Sequence, residues 1–267
     1  MLELYHDPIS ASSQKVRLVL AELQLDWTDR TVSLLAGEQH SEDYRAVNPR
    51  GEVPALVHDG WTLTESAIIA EYLVEAFAPG ALVPAQAQQR ARMRYWMHRV
   101  SNELHEGCGV LSYAIAVRPI QLTQDRDSIL ATIEQMPDPR KREIRRAVFE
   151  QGMDCDAVAD ALRRHVGILR ELDAQLSGDP RIVGTELSLA DLIAIPYVVR
   201  LENLSMWPFV EKFPNVVRWH AALTERPSFT TAVTDMAPDF IVEASRSAGD
   251  AAWPRVRELL AGCGEAV

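Results

Sequence analysis

Glu65 and Ser66 stand together at the start of an apolar, helix-forming stretch. A hydroxyl at a helix start and the unpaired N–H groups of the first helical turn both favour a bound carboxylate. The Glu65 carboxylate beside them favours an ammonium group. The pair therefore predicts a binding site for a small zwitterion. Taken alone, this motif is better explained as an ordinary helix cap.

A proline lies a short way upstream, where Val53-Pro54 opens a predicted buried strand. Proline lacks the N–H that a strand donates to its neighbour, and it is excluded from most central strands. We therefore expect a special backbone here, with a cis Val53–Pro54 bond. Such a bond would leave the N–H and C=O of Val53 free to pair with an extended peptide.

Three serines, Ser10, Ser12 and Ser13, cluster where a loop enters the first predicted helix. A hydroxyl donor to a charged acceptor contributes about 1.5–3 kcal/mol, and a helix N-terminus contributes about 0.3–1 kcal/mol. Lowering the pKa of a thiol by about 2 units from its usual value near 8.5 needs roughly 2.7 kcal/mol. The cluster can therefore hold a thiolate without a catalytic base, although each serine alone also fits a helix cap.

Together these stretches resemble the glutathione-binding core of the glutathione transferase superfamily, and the resemblance spans nearly the whole chain. It implies an N-terminal thioredoxin-like domain (α/β) and a C-terminal all-helical domain. It also implies glutathione as co-substrate, attack of its thiolate on a small hydrophobic electrophile, and a homodimer.

In this superfamily the group that activates the thiol is a Tyr, Ser or Cys on the loop after the first strand. Tyr5 comes too early, inside the strand, and the loop has no Cys. The resemblance therefore implies a serine-type enzyme. We rank Ser12 first because it falls just before the predicted helix, and Ser10 and Ser13 after it.

The resemblance also implies which residues bind glutathione. Glu65 and Ser66 take its zwitterionic end, and the Val53 backbone beside a cis Pro54 takes the cysteinyl part. His40 either reaches the glycyl carboxylate or is a solvated loop histidine.

Glu52 departs from the family pattern, in which Lys or Gln often precedes the Val-Pro pair. Its carboxylate would repel the glycyl end of glutathione if it pointed inward. Lys15, Arg17 or Arg50 would then have to offset the charge.

The elements that must position these residues follow the order βαβ–α–ββ–α. The pattern predicts strands over 2–5, 27–34, 53–58 and 61–63, and helices over 13–25, 41–47 and 66–77. Ser12 or Ser13 should cap the first helix. This order is that of a thioredoxin-like half-domain.

Residues 79–84 contain two prolines and a glycine and form the best domain boundary. We therefore predict a thioredoxin-like domain over 1–79 and an all-helical domain over 86–267 that provides the electrophile pocket. Helices are predicted within 86–116 and over 138–151, 156–176, 188–201, 214–225 and 228–233. Ser188 and Asp191 resemble a capping box at the start of a helix, with Asp in place of Glu or Gln, and we expect a role in folding. His105 and Tyr113 are either pocket or core residues.

Composition narrows the classes of function. The apolar fraction of 47% supports a sizeable core, and the net charge of −11 argues against nucleic acid or an anionic membrane as the main partner. The three cysteines (Cys108, Cys155, Cys263) are odd in number and far apart. A disulfide framework or metal site is therefore not expected. The cysteine pattern instead predicts a cytoplasmic protein. No signal peptide or transmembrane run is visible.

The stretch 136–140, followed by a basic helix, is similar to bacterial enzymes that cleave β-aryl ethers with glutathione. We therefore predict a glutathione transferase with aryl-ether cleavage as one candidate reaction. A glutathione-dependent isomerase or dehalogenase is the first alternative. A non-catalytic protein that binds glutathione or a hydrophobic ligand is the second, and the serine cluster argues against it. The missing loop cysteine disfavours a glutathione-dependent reductase.

Overall fold

The computed structural model describes residues 1–264, and they form two compact units. The first unit comprises Met1–Ser101, Gly178–Pro196 and Trp219–Pro238. The second comprises Asn102–Ser177, Tyr197–Arg218 and the described residues from Asp239 onward. The predicted domain boundary between residues 79 and 86 stays a prediction.

A four-stranded sheet forms the centre of the first unit. Its strands are β1 (Leu2–His6), β2 (Thr28–Thr31), β3 (Ala55–His58) and β4 (Trp61–Thr64), in the order β2-β1-β3-β4. β1 runs parallel to β2 and antiparallel to β3, and β3 and β4 form an antiparallel hairpin. The predicted thioredoxin-like arrangement is confirmed.

Two strands are shorter than predicted, for local reasons. β3 begins only after Pro54, which has no N–H to donate to a ladder. β2 ends at Thr31, and the N–H of Leu34, which was expected in the strand, donates instead to the Asp7 carboxylate at 3.0 Å.

The helices of the first part are α1 (Ala11–Glu22), α2 (Glu42–Val47) and α3 (Ser66–Phe77). α3 agrees with its prediction at both ends. The predicted cap of α1 at Ser12 or Ser13 is wrong. The cap is Ser10, whose side chain accepts the Ser13 N–H at 3.3 Å. The helix starts early because the Asp7 carboxylate accepts the N–H groups of Ile9 and Ser10 and turns the chain there.

From residue 87 onward every regular element of the described residues is a helix. The helices are α4 (Ala87–Arg99), α5 (His105–Ser112), α6 (Arg118–Gln121), α7 (Arg126–Glu134), α8 (Pro139–Gln151), α9 (Asp156–Gln175), α10 (Leu189–Asn203), α11 (Trp207–Val210), α12 (Pro214–Thr224), α13 (Pro227–Phe229) and α14 (Asp239–Gly262). Wider π-helical turns at Val100–Leu104 and Tyr113–Val117 connect α4, α5 and α6. The predicted all-helical second part is confirmed.

Helices α7 and α14 have no counterpart among the predicted elements. α14 contains Pro254, which normally interrupts a helical pattern. It also contains Gly249, where a β-carbon would meet the Leu204 carbonyl oxygen at 2.1 Å. The glycine permits close packing against the end of α10, a tertiary contact that local periodicity does not show.

The helix start at Ser188 has the predicted structural role. The Asp191 carboxylate accepts the N–H groups of Ile182 and Ser188 at 2.9 and 3.0 Å, the Ser188 hydroxyl at 2.9 Å and the Trp219 indole N–H at 2.8 Å. Burial raises the pKa of Asp191, and its four donors oppose that shift. These contacts connect two segments of the first unit, Gly178–Pro196 and Trp219–Pro238.

No helix within residues 1–264 combines the length and the apolar character that crossing a membrane requires. The three cysteines form no disulfide, and Cys108 and Cys155 are buried.

His165 on α9 lies at a close contact between α5 and α9 in the second unit. A β-carbon added to Gly107 on α5 would meet its ring at 3.2 Å and the Cα of Ala161 at 3.4 Å, so the two helices approach closely. The His165 Nδ1 lies 2.7 Å from the Ala161 carbonyl oxygen, and its Nε2 is buried without a hydrogen-bond partner. Burial lowers the pKa of His165 to about 4.

We predict that His165 makes the protein sensitive to acid. Its pKa is lower in the folded state than the ordinary 6.5, so only the unfolded chain takes up a proton as the pH falls from about 6.5 to about 4. The contribution of His165 to the free energy of unfolding is therefore fully present above pH 6.5. It decreases by up to about 3 kcal/mol across that range as the pH falls. Urea unfolding at several pH values should show a weaker pH dependence in His165→Leu. Equal slopes in wild type and variant would contradict this, and His98→Leu, at an exposed position of α4, is the matched control.

Candidate active site

Arg17 on α1 holds the loop that contains the predicted active serines. Its side chain is 1% exposed. The guanidinium donates to the carbonyls of Asp7 at 3.1 Å, Pro8 at 2.7 Å and Ala232 at 2.7 Å. Burial lowers the pKa of Arg17 to about 10, so the group remains charged at neutral pH. The helix thereby fixes residues 7–8 from behind.

His6 completes this buried network. Arg17 Nη1 lies 2.9 Å from the His6 Nδ1, and the His6 Nε2 lies 3.1 Å from the Asp29 carboxylate. The donor on Arg17 requires an acceptor at Nδ1, so the ring proton belongs on Nε2, directed at Asp29. Burial, with Arg17 next, lowers the pKa of His6 and keeps it neutral.

Asp7 shapes the loop from its inner side. It is 4% exposed. One carboxylate oxygen accepts the N–H groups of Ile9 at 2.9 Å and Ser10 at 3.1 Å, and the other accepts Leu34 N–H. The chain is thereby directed into α1 at Ser10. A single acidic residue in a loop does not reveal such a role in the sequence. The role of Asp7 was therefore not predicted.

The three serines have different environments. Ser13 is fully buried, and its hydroxyl accepts the Asp7 N–H at 3.3 Å. Ser12 is 7% exposed and lies in the first helical turn. Ser10 is partly exposed at the cap position, where its oxygen accepts the Ser13 N–H. Ser10 is therefore the most accessible of the three hydroxyls.

The Val53–Pro54 peptide bond is cis, as expected. The loop before it is fixed by two donors that converge on one oxygen. Tyr44 Oη and Asn48 Nδ2 each donate to the Glu52 carbonyl at 2.6 Å. Burial raises the pKa of Tyr44, so its hydroxyl keeps the proton that it donates.

Glu65 and Ser66 lie where the hairpin meets α3. Glu65 has a φ of +70°, an unfavourable value for a residue with a side chain. Its carboxylate contacts Arg50 at 2.5 Å at an exposed position. Ser66 is the first residue of α3 and is 9% exposed. Its hydroxyl is therefore held beside the free N–H groups of the helix.

Lys15 approaches Ser66 from α1. Its side chain is 1% exposed, and its ammonium donates to the Ser66 hydroxyl oxygen at 3.4 Å. A buried ammonium is costly unless it meets an oxygen partner or an anion. Lys15 therefore adds positive charge at the predicted carboxylate site. Of the three residues suggested to offset Glu52, Arg17 and Arg50 are engaged elsewhere.

His40 lies in a short 3-10 helix, Glu38–His40, against the turn at Gly51. Its Nδ1 would lie 3.3 Å from a β-carbon at Gly51 and is buried without a partner. Burial, with Arg45 next, lowers the pKa of His40. A neutral imidazole here offers a hydrogen bond but no charge. The predicted role of His40 stays a prediction.

The two candidate pocket residues belong to the second unit. Tyr113 is buried and donates to Gln121 Oε1 at 2.6 Å, and His105 lies 3.4 Å from the Tyr197 hydroxyl. Their predicted role in the electrophile pocket stays a prediction.

Comparisons with known proteins find matches to both parts of the chain. Residues 4–81 match the glutathione S-transferase N-terminal domain model, and residues 156–222 match the C-terminal domain model. Protein LigF of Sphingobium sp. (strain NBRC 103272 / SYK-6) is 31% identical over 236 residues, which cover 85% of this chain and 91% of that protein. The tetrachloro-p-hydroquinone reductive dehalogenase of Sphingobium chlorophenolicum is 28% identical over 86% of this chain and 95% of its own.

A solved structure extends the likeness to three dimensions. The crystal structure of beta-etherase LigF from Sphingobium sp. strain SYK-6 aligns with a TM-score of 0.79 at 27% identity. The alignment covers 88% of this chain and 99% of that chain.

We predict that the Arg17 network is the main stabiliser of the serine loop. Arg17→Met should lower the free energy of unfolding by about 3 kcal/mol or more, because buried carbonyls lose their donors. Arg17→Lys should recover only part of the loss, because one ammonium cannot replace the guanidinium fork. Urea unfolding measures both. Arg92→Met, at an exposed site on α4, is the control, and an Arg17→Met loss as small as the control's would refute the prediction.

Proposed function

The chain belongs to the glutathione S-transferase family, and from that premise we propose that its first unit binds glutathione and activates the thiol for attack on a hydrophobic electrophile. The observation that carries the proposal is the Ser66 hydroxyl at the start of α3, beside the buried ammonium of Lys15. Helix N–H groups, a hydroxyl and a fixed positive charge together suit a carboxylate.

The zwitterionic end of glutathione would bind at the start of α3. Its carboxylate would meet Ser66 and the N-terminus of α3, and its ammonium would meet Glu65. The backbone of Glu65 supports a functional role, because a positive φ costs of order 1–3 kcal/mol and such strain concentrates at ligand-binding positions. Arg50 holds the Glu65 carboxylate in place before the ligand arrives.

The cysteinyl part of glutathione would lie along Val53, next to the cis Pro54, with backbone pairing as in an added strand. Tyr44 and Asn48 support that position by fixing the preceding carbonyl. The glycyl carboxylate would extend towards His40.

For the thiolate we propose Ser10 ahead of Ser12, the reverse of the order that the sequence favours. The Ser10 oxygen already accepts a helix N–H, so its own proton is available to an anion. The N-terminus of α1 adds its favourable potential. Ser13 is fully buried, with its oxygen accepting the Asp7 N–H. Ser12 remains the second candidate.

The reaction follows from a stabilised thiolate beside an electrophilic carbon. The sulfur forms a new C–S bond and the leaving group departs with the electron pair of the bond that breaks. With an aryl ether the leaving group is a phenolate, which takes its proton from water. Proximity and thiolate stabilisation supply the rate. The beta-etherase relative supports the aryl-ether version of this proposal.

The dehalogenase relative supports halide displacement as the second candidate reaction. Turnover on matched aryl ethers and aryl halides, with and without glutathione, separates the two.

We further propose a two-fold homodimer, which light scattering tests against the 29.8 kDa monomer mass. A reducing, cytoplasmic location agrees with three cysteines that form no disulfide.

We predict that Ser66 and Lys15 act as a pair on glutathione. Ser66→Ala should weaken binding by about 1–3 kcal/mol through a lost hydrogen bond to a charged group. Lys15→Met should weaken it in wild type but much less in a Ser66→Ala background, because the ammonium donates to that hydroxyl. Isothermal titration calorimetry measures each affinity. Lys212→Met, at an exposed position, controls for the change in net charge, and unchanged affinity in both single variants would exclude this site.

We predict that removing the active hydroxyl raises the pKa of bound glutathione. Ser10→Ala should raise it by about 1–2 units and slow turnover most at neutral pH. Ser10→Gly is the matched variant, because glycine keeps most of the capping stability while removing the hydroxyl. Thiolate absorbance against pH gives the titration curves. A shift in Ser12→Ala alone would restore the order Ser12 before Ser10. Wild-type curves for Ser10→Ala, Ser12→Ala and Ser13→Ala would leave backbone N–H groups as the activators.

A further inference from the structure

Most arginines of helix α8 face carboxylates in the second unit. Arg140 contacts Glu106 at 3.3 Å, and both Arg142 and Arg146 contact Glu134. Arg145 differs, because its guanidinium makes no hydrogen bond or ion pair within residues 1–264. It lies instead over the ring of Tyr113, with its Cζ 3.9 Å from the ring centroid.

Tyr113 is a rigid support for this guanidinium. Its side chain is 2% exposed, and its hydroxyl donates to Gln121 Oε1 at 2.6 Å. It opens the π-helical turn Tyr113–Val117, and such turns occur often at functional sites. The ring covers one face of the guanidinium and holds it by a cation–π contact.

Arg145 therefore carries a positionally fixed positive charge that has no counter-ion among the described residues. Burial lowers its pKa, so the charged form is partly desolvated. Arg118 lies near enough to lower the pKa of Tyr113, although burial raises that pKa overall, and its own guanidinium donates to the Phe149 carbonyl at 2.9 Å. The local potential is thus positive in a protein whose net charge is −11.

The chemistry of this arrangement suits an oxyanion. A guanidinium has five N–H donors in one plane, and those of Arg145 are not used by the described protein. Two parallel N–H groups match the two oxygens of a carboxylate.

We propose that Arg145, held by Tyr113, binds the carboxylate of a small organic acid in the second unit. The site gives the segment 118–155 a function, because that segment supplies Arg145. It does not depend on glutathione, since its residues all belong to the second unit.

Benzoate is a suitable probe, titrated by calorimetry into the full-length protein without glutathione. Wild type should bind it saturably, and Arg145→Met should weaken binding about tenfold or more. Arg145→Lys keeps the charge but loses the planar fork, so its affinity should lie between the two. Arg146→Met is the matched control on the neighbouring residue, which already has Glu134 as partner, and it should bind like wild type.

Benzamide completes the test. The neutral amide should bind far more weakly than benzoate. The proposal is overturned if wild type does not bind benzoate, if Arg145→Met and Arg145→Lys, both shown to be folded by circular dichroism, bind it like wild type, or if benzamide binds as tightly.

Discussion

The buried guanidinium of Arg17 is the interaction on which the rest of the first unit depends. It lies inside the unit and donates outward, to two loop carbonyls in front and to the Ala232 carbonyl behind. An arginine is suited to this task because its donors diverge within one rigid plane. Once residues 7–8 are fixed, the Asp7 carboxylate can turn the chain and place Ser10 at the start of α1. The position of the candidate activator is thus set by a residue two helical turns away from it.

The parts of the fold that were predicted correctly are those with a local cause. Helix α3 begins and ends as expected because the apolar period of its residues is clear. The order of strands along the chain follows from alternating patterns and a strong hairpin turn at Asp59-Gly60. The cis bond at Pro54 was expected because a proline that opens a buried strand indicates a special backbone. The pair Glu65 and Ser66 also stands where the sequence placed it, at the start of a helix.

Most of the parts that were missed depend on contacts between distant segments. The start of α1, placed at Ser13, is an exception, because Asp7 accepts the N–H groups of Ile9 and Ser10 close by in the sequence, and a single Asp is a weak signal of such a turn. Lys15 reads as an ordinary helix-surface lysine, yet it is buried against Ser66, 51 residues later. Arg145 belongs to a run of basic residues that looks uniformly solvated. Those residues differ in whether each one contacts a carboxylate, and only the tertiary structure determines these contacts.

The backbone of Glu65 places stability and function in opposition. Glycine at position 65 would relieve the left-handed conformation, so selection for thermal stability alone would remove this carboxylate over time. A lineage that keeps glutamate there accepts a permanent energetic handicap. Under the role proposed for Glu65, contact with the ligand is what offsets this cost. In a collection of related sequences, replacement of this side chain by glycine would mark copies that have lost the ligand, before any change appears in the surrounding core.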